Sequence, residues 1–195
     1  MSSRSQILSK IKSSKPQFVE LPKIDEELFN EDIDFLEEFK AEIGSVGGKV
    51  FSTNSYSDVL KQLKILYPDA KNNFSVLANS ETFNTIDLND IKKPQDLNDL
   101  DILILEGAFG VSENGAIWVS DDHLPIRVLP FIAKHLVLVL DKTKVFPYLH
   151  QAYKHLNDLD YDYGLFISGP SKTADIEQSL VIGAQGALSL HVFLV

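Results

Sequence analysis

The sequence predicts an α/β protein with an open, largely parallel sheet and helices on both faces. Its last third alternates between helical periodicity and short apolar runs, a pattern typical of strand–helix units in a parallel sheet. The chain has 195 residues, of which 44% are hydrophobic, and is therefore long enough for one well-filled core. The elements predicted in this third are helices over 124–133, 145–156 and 173–180 and strands over 135–140, 163–167 and 188–195.

The first two thirds predict a helical arm followed by the start of the domain. Residues 1–23 are rich in Ser and Lys, place apolar residues at helical spacing and break at two prolines, so we expect a short helix and a linker there. A single α/β domain is expected over 24–195. It begins with an acidic amphipathic helix that ends at Gly44. Its next predicted elements are strands over 49–52, 74–78 and 101–105, a helix over 57–67 and a strand pair within 108–120.

Composition narrows the class of function. The formal charge is −10, and a protein this acidic repels nucleic-acid backbones and anionic lipid surfaces, so neither is an expected partner. The sequence contains no cysteine, which removes thiolate chemistry and the usual ligands of iron–sulfur clusters. No apolar run approaches the ~20 residues of a membrane helix, and the first residues lack the apolar segment of a secretory signal. We therefore expect a cytoplasmic protein without membrane insertion.

Motifs for metals and nucleotides fail on spacing. The Gly44–Lys49 stretch is one residue too short for a phosphate-binding loop. The aspartates at 158, 160 and 162 lack the glycine and the glutamate that a calcium loop needs at its sixth and twelfth positions. No two of the five histidines lie four residues apart on a helix. We expect no metal, haem or iron–sulfur cluster bound by this chain itself, and the identity of any other cofactor stays open.

The first candidate site is the turn Ser112-Glu113-Asn114-Gly115, which follows the predicted strand 101–105. Ligands of open parallel sheets bind beyond the carboxyl ends of the strands. A carboxylate there can act as nucleophile or general base, and a glycine lets the backbone approach a ligand closely. Glu113 is therefore the candidate catalytic residue. The alternative is structural, because Asn-Gly between alternating apolar residues is also a strong hairpin signal.

The second candidate site is a glycine–proline turn between the predicted strand 163–167 and the predicted helix 173–180. Free backbone amides at a helix start bind anions, and a lysine in the turn adds positive charge. The alternative is helix capping by Ser171 or Thr173, with acidic residues favoured in the first turn. The candidate ligand-binding residues are Gly169, Pro170, Ser171, Lys172, Thr173, Asp175 and Glu177.

These two motifs resemble those of the LUD-domain family, most closely its lactate-utilization protein C branch. The stretch Gly-Pro-Ser-Lys-Thr-Ala-Asp-Ile-Glu, followed by Gly183, Gly186 and the closing segment 190–195, is similar to the family's C-terminal motif. Glu113-Asn114-Gly115 is similar to its central Glu-x-Gly motif. The resemblance covers roughly residues 75–195.

The resemblance implies a fold of the NagB/RpiA/CoA-transferase-like type, which includes ribose-5-phosphate isomerase and glucosamine-6-phosphate deaminase. It also implies a subunit of an L-lactate utilization system that oxidises lactate to pyruvate with iron–sulfur partner subunits and binds a small carboxylate or anionic cofactor. Ser112-Glu113-Asn114-Gly115 is similar as well to a motif of class I CoA-transferases, in which the glutamate carries the acyl group. The alternative is therefore a stand-alone CoA-transferase-like or phosphosugar-isomerase-like enzyme that uses Glu113 as nucleophile or base.

Overall fold

The computed structural model describes residues 3–20, 22–29, 33–174 and 180–195. The chain divides into two compact units, residues 1–32 and 33–195. In the first unit, helix α1 spans Ser3–Ser13 and a 3-10 turn spans Glu26–Phe29. Helix α1 buries none of its residues. The predicted division of the chain at residue 23 stays a prediction.

The centre of the second unit is a five-stranded parallel sheet. Its three central strands are short apolar runs buried on both faces, as expected when other layers cover a parallel sheet on each side, and its two edge strands are more exposed. The α/β fold class with a largely parallel sheet, predicted from the sequence, is confirmed. In spatial order the strands are β1 (Lys49–Ser52), β11 (Ser189–Leu194), β6 (His135–Leu140), β3 (Ile102–Gly107) and β2 (Asn73–Ser75).

Helices cover both faces of this sheet. On one face, α3 (Tyr56–Leu66) begins where the Ser55 hydroxyl accepts the Asp58 amide, and it buries Val59 and Leu63 against the sheet. On the other face, α2 (Phe35–Ser45) is capped by Asp34, whose carboxylate accepts two backbone amides. Helix α2 adds Phe39 and Ile43 to the largest buried cluster.

A second sheet packs over the face that carries α2. It has four strands in the order β7 (Val145–Phe146), β4 (Phe109–Val111), β5 (Ala116–Ser120) and β8 (Gly164–Ile167). The predicted strand pair within 108–120 is the antiparallel hairpin β4–β5. Strand β8 pairs antiparallel with β5, so the predicted strand 163–167 lies outside the parallel sheet. Helix α5 (Leu149–Leu156) covers the outer face of this second sheet.

The prediction of a helix over 173–180 is wrong for the residues of this range that the structure describes, which form strands. Strand β9 (Lys172–Ala174) pairs antiparallel with β10 (Leu180–Ile182), and residues 175–179 lie outside the described ranges. The Ser171 amide donates to the Ala187 carbonyl and the Ser171 carbonyl accepts the Gly183 amide, so Ser171 joins the backbone pairing and caps no helix. Strand pairing also suits the β-branched residues of this segment, including Val181 and Ile182.

The predicted helix 124–133 is shorter than expected. A 3-10 turn spans Asp121–His123, and only Leu129–Ile132 forms helix α4. Pro125 and Pro130 both lack an amide hydrogen, which restricts helical pairing over this stretch.

A cluster of polar aromatic side chains lies at the amino ends of β6 and β11. The Tyr67 hydroxyl is 3.0 Å from Ser189 Oγ and 3.2 Å from His191 Nδ1, and His135 Nδ1 is 2.9 Å from Ser189 Oγ. The rings of Tyr67 and His135 stack with centroids 4.1 Å apart. Burial, the Lys49 ammonium and the proximity of His135 lower the pKa of His191 to about 4. Burial lowers the pKa of His135 as well, so both imidazoles are in their neutral form at neutral pH.

This cluster predicts acid sensitivity. Because the pKa of His191 is lower folded than its unfolded value of 6.5, the unfolded chain binds more protons, and the free energy of unfolding falls as pH drops from about 6.5 towards 4. The His191 share is on the order of 3 kcal/mol. Urea unfolding at pH 7 and pH 4.5 should show a smaller loss in His191→Phe than in wild type, whereas the exposed control His155→Gln should match wild type. Equal losses in all three proteins would contradict this assignment.

Candidate functional site

The structure places the turn Ser112-Glu113-Asn114-Gly115 against helix α2. Ser112 is fully buried, and its hydroxyl lies 2.6 Å from the Phe35 carbonyl oxygen and 2.9 Å from Glu38 Oε2. Its single proton can be donated to either acceptor, and both belong to the first turn of α2. Ser112 therefore fixes the start of this helix.

Glu113 is exposed and contacts the start of helix α5. Its Oε2 accepts the Leu149 amide at 2.7 Å, and its own amide donates to the Pro147 carbonyl at 3.1 Å. A carboxylate at this position satisfies an otherwise unpaired amide and interacts favourably with the helix dipole. The role of Glu113 as nucleophile or base stays a prediction; in the structure its carboxylate caps α5.

The two predicted motifs meet around α2. The Ser168 hydroxyl donates to the Asn114 carbonyl at 2.8 Å, which joins the first turn to the segment that leads into the second. A Cβ built on Gly115 would lie 2.9 Å from the Ile43 backbone nitrogen, and one on Gly169 would lie 2.9 Å from the Val46 carbonyl oxygen. Both glycines have positive φ, 62° and 74°. They allow the backbone of α2 and its C-terminal turn to approach both motifs.

The remaining residues of the second motif are distributed around a cavity of about 350 Å³. Gly169, Pro170, Ser171 and Lys172 line it, together with Phe131 and other neighbours. Thr173 belongs to strand β9. Asp175 and Glu177 lie outside the described residues. The helix start that was expected to bind an anion here is replaced by the β9–β10 pair, and anion binding by this motif stays a prediction.

A second cavity, of about 440 Å³, opens where the carboxyl ends of the parallel strands converge. Glu106 lies near the end of β3, Asp141 follows β6, and Tyr56 begins α3 shortly after β1. Parallel strands present their carboxyl ends at one edge, which is where ligands of open α/β sheets bind. We call this space the carboxyl-edge cavity; its lining residues are Tyr56, Glu106, Gly107, Ala108, His123, Val139, Asp141, Lys144 and Val195.

The polar groups of the carboxyl-edge cavity interact with one another through hydrogen bonds and charge. His123 Nδ1 lies 3.4 Å from Glu106 Oε2, and both side chains are partly buried. Burial, the hydrogen bond to Glu106 and the negative charges of Glu106 and Asp141 raise the pKa of Tyr56, so Tyr56 remains a donor. The Thr143 hydroxyl and amide donate to Asp141 and lower the pKa of this carboxyl, which is therefore ionised at neutral pH. The cavity thus combines a carboxylate–imidazole pair, a phenol and the exposed ammonium of Lys144.

Sequence reasoning pointed to the loop after Leu105 but not to these residues. Strand β3 continues through Gly107, so Glu106 stands at the sheet edge where Glu113 was expected. The available signal was a carboxylate directly after an apolar strand, which occurs both at Glu106 and at Asp141. The convergence of Tyr56 and His123 depends on tertiary structure, and no local spacing indicated it.

No group of three or more His, Asp or Glu side chains within the described ranges is arranged to hold a metal ion. Among those same residues, no helix has the length and apolar character needed to cross a membrane.

The fold and the edge cavity define a class of protein, an α/β domain with an open parallel sheet and a polar site at its carboxyl edge. The family model described as the LUD domain matches residues 92–195, slightly more than half of the chain. The chain belongs to the LUD-domain family.

Several relatives share part of this sequence. Lactate utilization protein C of Bacillus pumilus is 33% identical over 93 residues, 45% of this chain and 39% of that protein. Lactate utilization protein C of an Exiguobacterium species is 29% identical over 126 residues, 60% of this chain and 54% of that protein. The chain thus spans about two fifths to one half of the length of these relatives.

A solved structure shows the same fold. The crystal structure of a DUF162 family protein from Deinococcus radiodurans aligns with a TM-score of 0.60 at 15% identity, over 83% of this chain and 96% of that one. This likeness supports the α/β architecture and carries no information about function.

The glycine contacts with α2 predict a stability effect. Gly115→Ala and Gly169→Ala should each lower the free energy of unfolding by roughly 2–4 kcal/mol, because each adds a Cβ at positive φ against backbone atoms of the α2 region. Gly44→Ala is the matched control, since nothing lies within 4 Å of the added Cβ and alanine favours the helix. Urea unfolding should rank Gly44→Ala at or above wild type and the other two well below it; three similar values would contradict the close approach.

Proposed function

We propose that this chain serves in L-lactate utilization, binding a small hydroxy- or oxo-carboxylate in the carboxyl-edge cavity and acting with iron–sulfur partner subunits. Membership of the LUD-domain family and the names of the relatives support the pathway. The observation that carries the choice of ligand is the convergence of Lys144 with the Glu106–His123 pair in one cavity.

The chemistry of the cavity fits a small hydroxy acid. The Lys144 ammonium supplies the positive charge for a carboxylate, and the Tyr56 oxygen can accept a hydrogen bond from the ligand's hydroxyl while its own proton is donated to Glu106. Glu106 and His123 can accept or donate a proton at the ligand's hydroxyl or carbonyl oxygen, since an imidazole beside a carboxylate is suited to general acid–base work near neutral pH. Asp141, held ionised by Thr143, repels a second anionic group and so favours a ligand with one carboxylate.

The electrons of lactate oxidation need an acceptor that the side chains lining the cavity do not supply. The sequence has no cysteine, so it offers none of the thiolates that normally hold an iron–sulfur cluster. Separate iron–sulfur subunits would supply that acceptor. Affinity purification from cells grown on lactate should therefore recover an iron–sulfur protein with this chain, and recovery of none under mild cross-linking would count against the partnership.

Ligand binding is tested with charge-matched variants. L-lactate or pyruvate at ~100 times its dissociation constant should add about 2.7 kcal/mol to the free energy of unfolding, visible as a thermal shift. Lys144→Ala should lose most of this shift. Lys142→Ala is the control, because it removes the same charge from a residue that does not line the cavity, and it should keep the shift. Glu106→Gln, which retains the shape of the side chain, should weaken the response to lactate.

Glu113→Gln separates this proposal from the enzyme that would use Glu113 as nucleophile or base. Binding in the carboxyl-edge cavity predicts that Glu113→Gln keeps the lactate shift, because Glu113 does not line that cavity. A shift that disappears in Glu113→Gln and survives in Lys144→Ala would overturn the assignment and favour the Glu113 turn. A covalent acyl adduct on Glu113 after incubation with acyl-CoA would point the same way.

A further inference from the structure

We propose that an aromatic chamber beside the carboxyl-edge cavity binds a planar nitrogen heterocycle, of the kind found in nucleobases and nicotinamide, through stacking and N–H donation. The chamber has a volume of about 250 Å³. It lies on the outer face of the second sheet, between that sheet, the end of α5 and the loop that leads into β8. Its lining residues are Ala108, Phe109, Trp118, Ser120, Asp122, His123, Lys144, His155, Leu159, Asp160 and Tyr161.

The walls of the chamber are aromatic. Trp118 and Tyr161 meet edge to face with centroids 5.2 Å apart, and Phe109 packs parallel to Trp118 at 6.2 Å. The His155 ring meets Phe109 edge to face at 5.4 Å. Aromatic faces stack on planar heterocycles, and the exposed aromatic side chains of the chamber are Tyr161 and His155. Phe109 and Trp118 are buried, but 39% of Tyr161 is exposed, so Tyr161 stands at the rim.

The backbone makes room for the tryptophan. A Cβ built on Gly164 would overlap Trp118 Cζ2, so the ring occupies the space that any side chain at this position would fill. Gly164 pairs with Ser120 across the β5–β8 ladder. The orientation of Trp118 is therefore set by strand register and is fixed before any ligand binds.

The polar groups of the chamber select the kind of ring. Asp122 and Asp160 are hydrogen-bond acceptors when ionised, and they favour a ring that carries N–H donors or a positive charge. Ser120 adds a hydroxyl that can donate or accept. A hydrocarbon ring has no N–H group to donate to these exposed carboxylates and would gain nothing from them.

The chamber and the carboxyl-edge cavity share Ala108, His123 and Lys144, so they adjoin. Ligand sites commonly measure roughly 300–1,000 Å³, and the two adjoining spaces together fall within that range. A heterocycle in the chamber would therefore lie next to a small acid in the cavity. The proposal rests on the aromatic walls and the polar groups of the chamber, and it holds whether or not the cavity binds lactate.

Trp118 is the only tryptophan of the chain, so its fluorescence reports directly on the chamber. Adenosine and nicotinamide mononucleotide are the probes, and ribose 5-phosphate is the control that has the sugar but no aromatic heterocycle. Saturable quenching by at least one of the two ring probes, with none from ribose 5-phosphate, is the expected result. The absence of saturable quenching by both ring probes would overturn the proposal, as would equal quenching by ribose 5-phosphate.

Two variants and one control test the contacts. Tyr161→Ala should weaken binding of the ring probe about tenfold or more, as expected for loss of one stacking side chain. Asp160→Asn should weaken it as well, and its near-identical shape preserves folding. Tyr153→Ala is the control, because Tyr153 is an exposed tyrosine of α5 that does not line the chamber. Equal affinities in Tyr161→Ala, Asp160→Asn and Tyr153→Ala would refute the site.

The result is independent of lactate binding. Tyr161→Ala should keep the thermal shift with L-lactate, since Tyr161 does not line the carboxyl-edge cavity. If the ring probes do not bind wild type while lactate still stabilises it, only the heterocycle site is refuted. If the ring probes bind and lactate gives no thermal shift, only the proposed lactate binding is refuted.

Discussion

The contact on which both sheets depend is the close approach of the α2 segment to Gly115 and Gly169. Helix α2 inserts Phe39 and Ile43 into the core between the two sheets, and it can do so only because the turns on either side present no Cβ. Overpacking there would displace a helix that contacts β1 of one sheet and β7 of the other. The Ser112–Gly115 turn and the Gly169–Lys172 segment therefore meet at a contact that supports the packing of both sheets.

Local signals were sufficient for most of the fold. Alternation of helical and apolar segments predicted the parallel sheet, and Asn114-Gly115 predicted the β4–β5 hairpin. The same alternation could not reveal that β8 joins a second, antiparallel sheet, because strand partners are set by packing far along the chain. The helix predicted from Thr173 is wrong for a related reason. Ser, Thr and Asp suit a helix start, but pairing with β10 places Lys172–Ala174 in strand β9.

Sequence motifs alone could predict only part of the candidate site. A carboxylate beyond a buried strand was the right kind of signal, and the strand simply extends to Glu106, at the sheet edge. The other polar groups of the cavity come from segments separated by tens of residues, namely Tyr56, His123 and Lys144. Parallel topology brings them together because the carboxyl ends of β1, β3, β6 and β11 share one edge.

Hydrogen–deuterium exchange with and without saturating L-lactate locates the bound ligand on the chain without any substitution. Binding in the carboxyl-edge cavity predicts slower exchange around Glu106, His123 and Lys144, which line that cavity. Protection confined to the turn at Glu113 and to the Gly169–Lys172 segment, with none at the carboxyl edge, would contradict it.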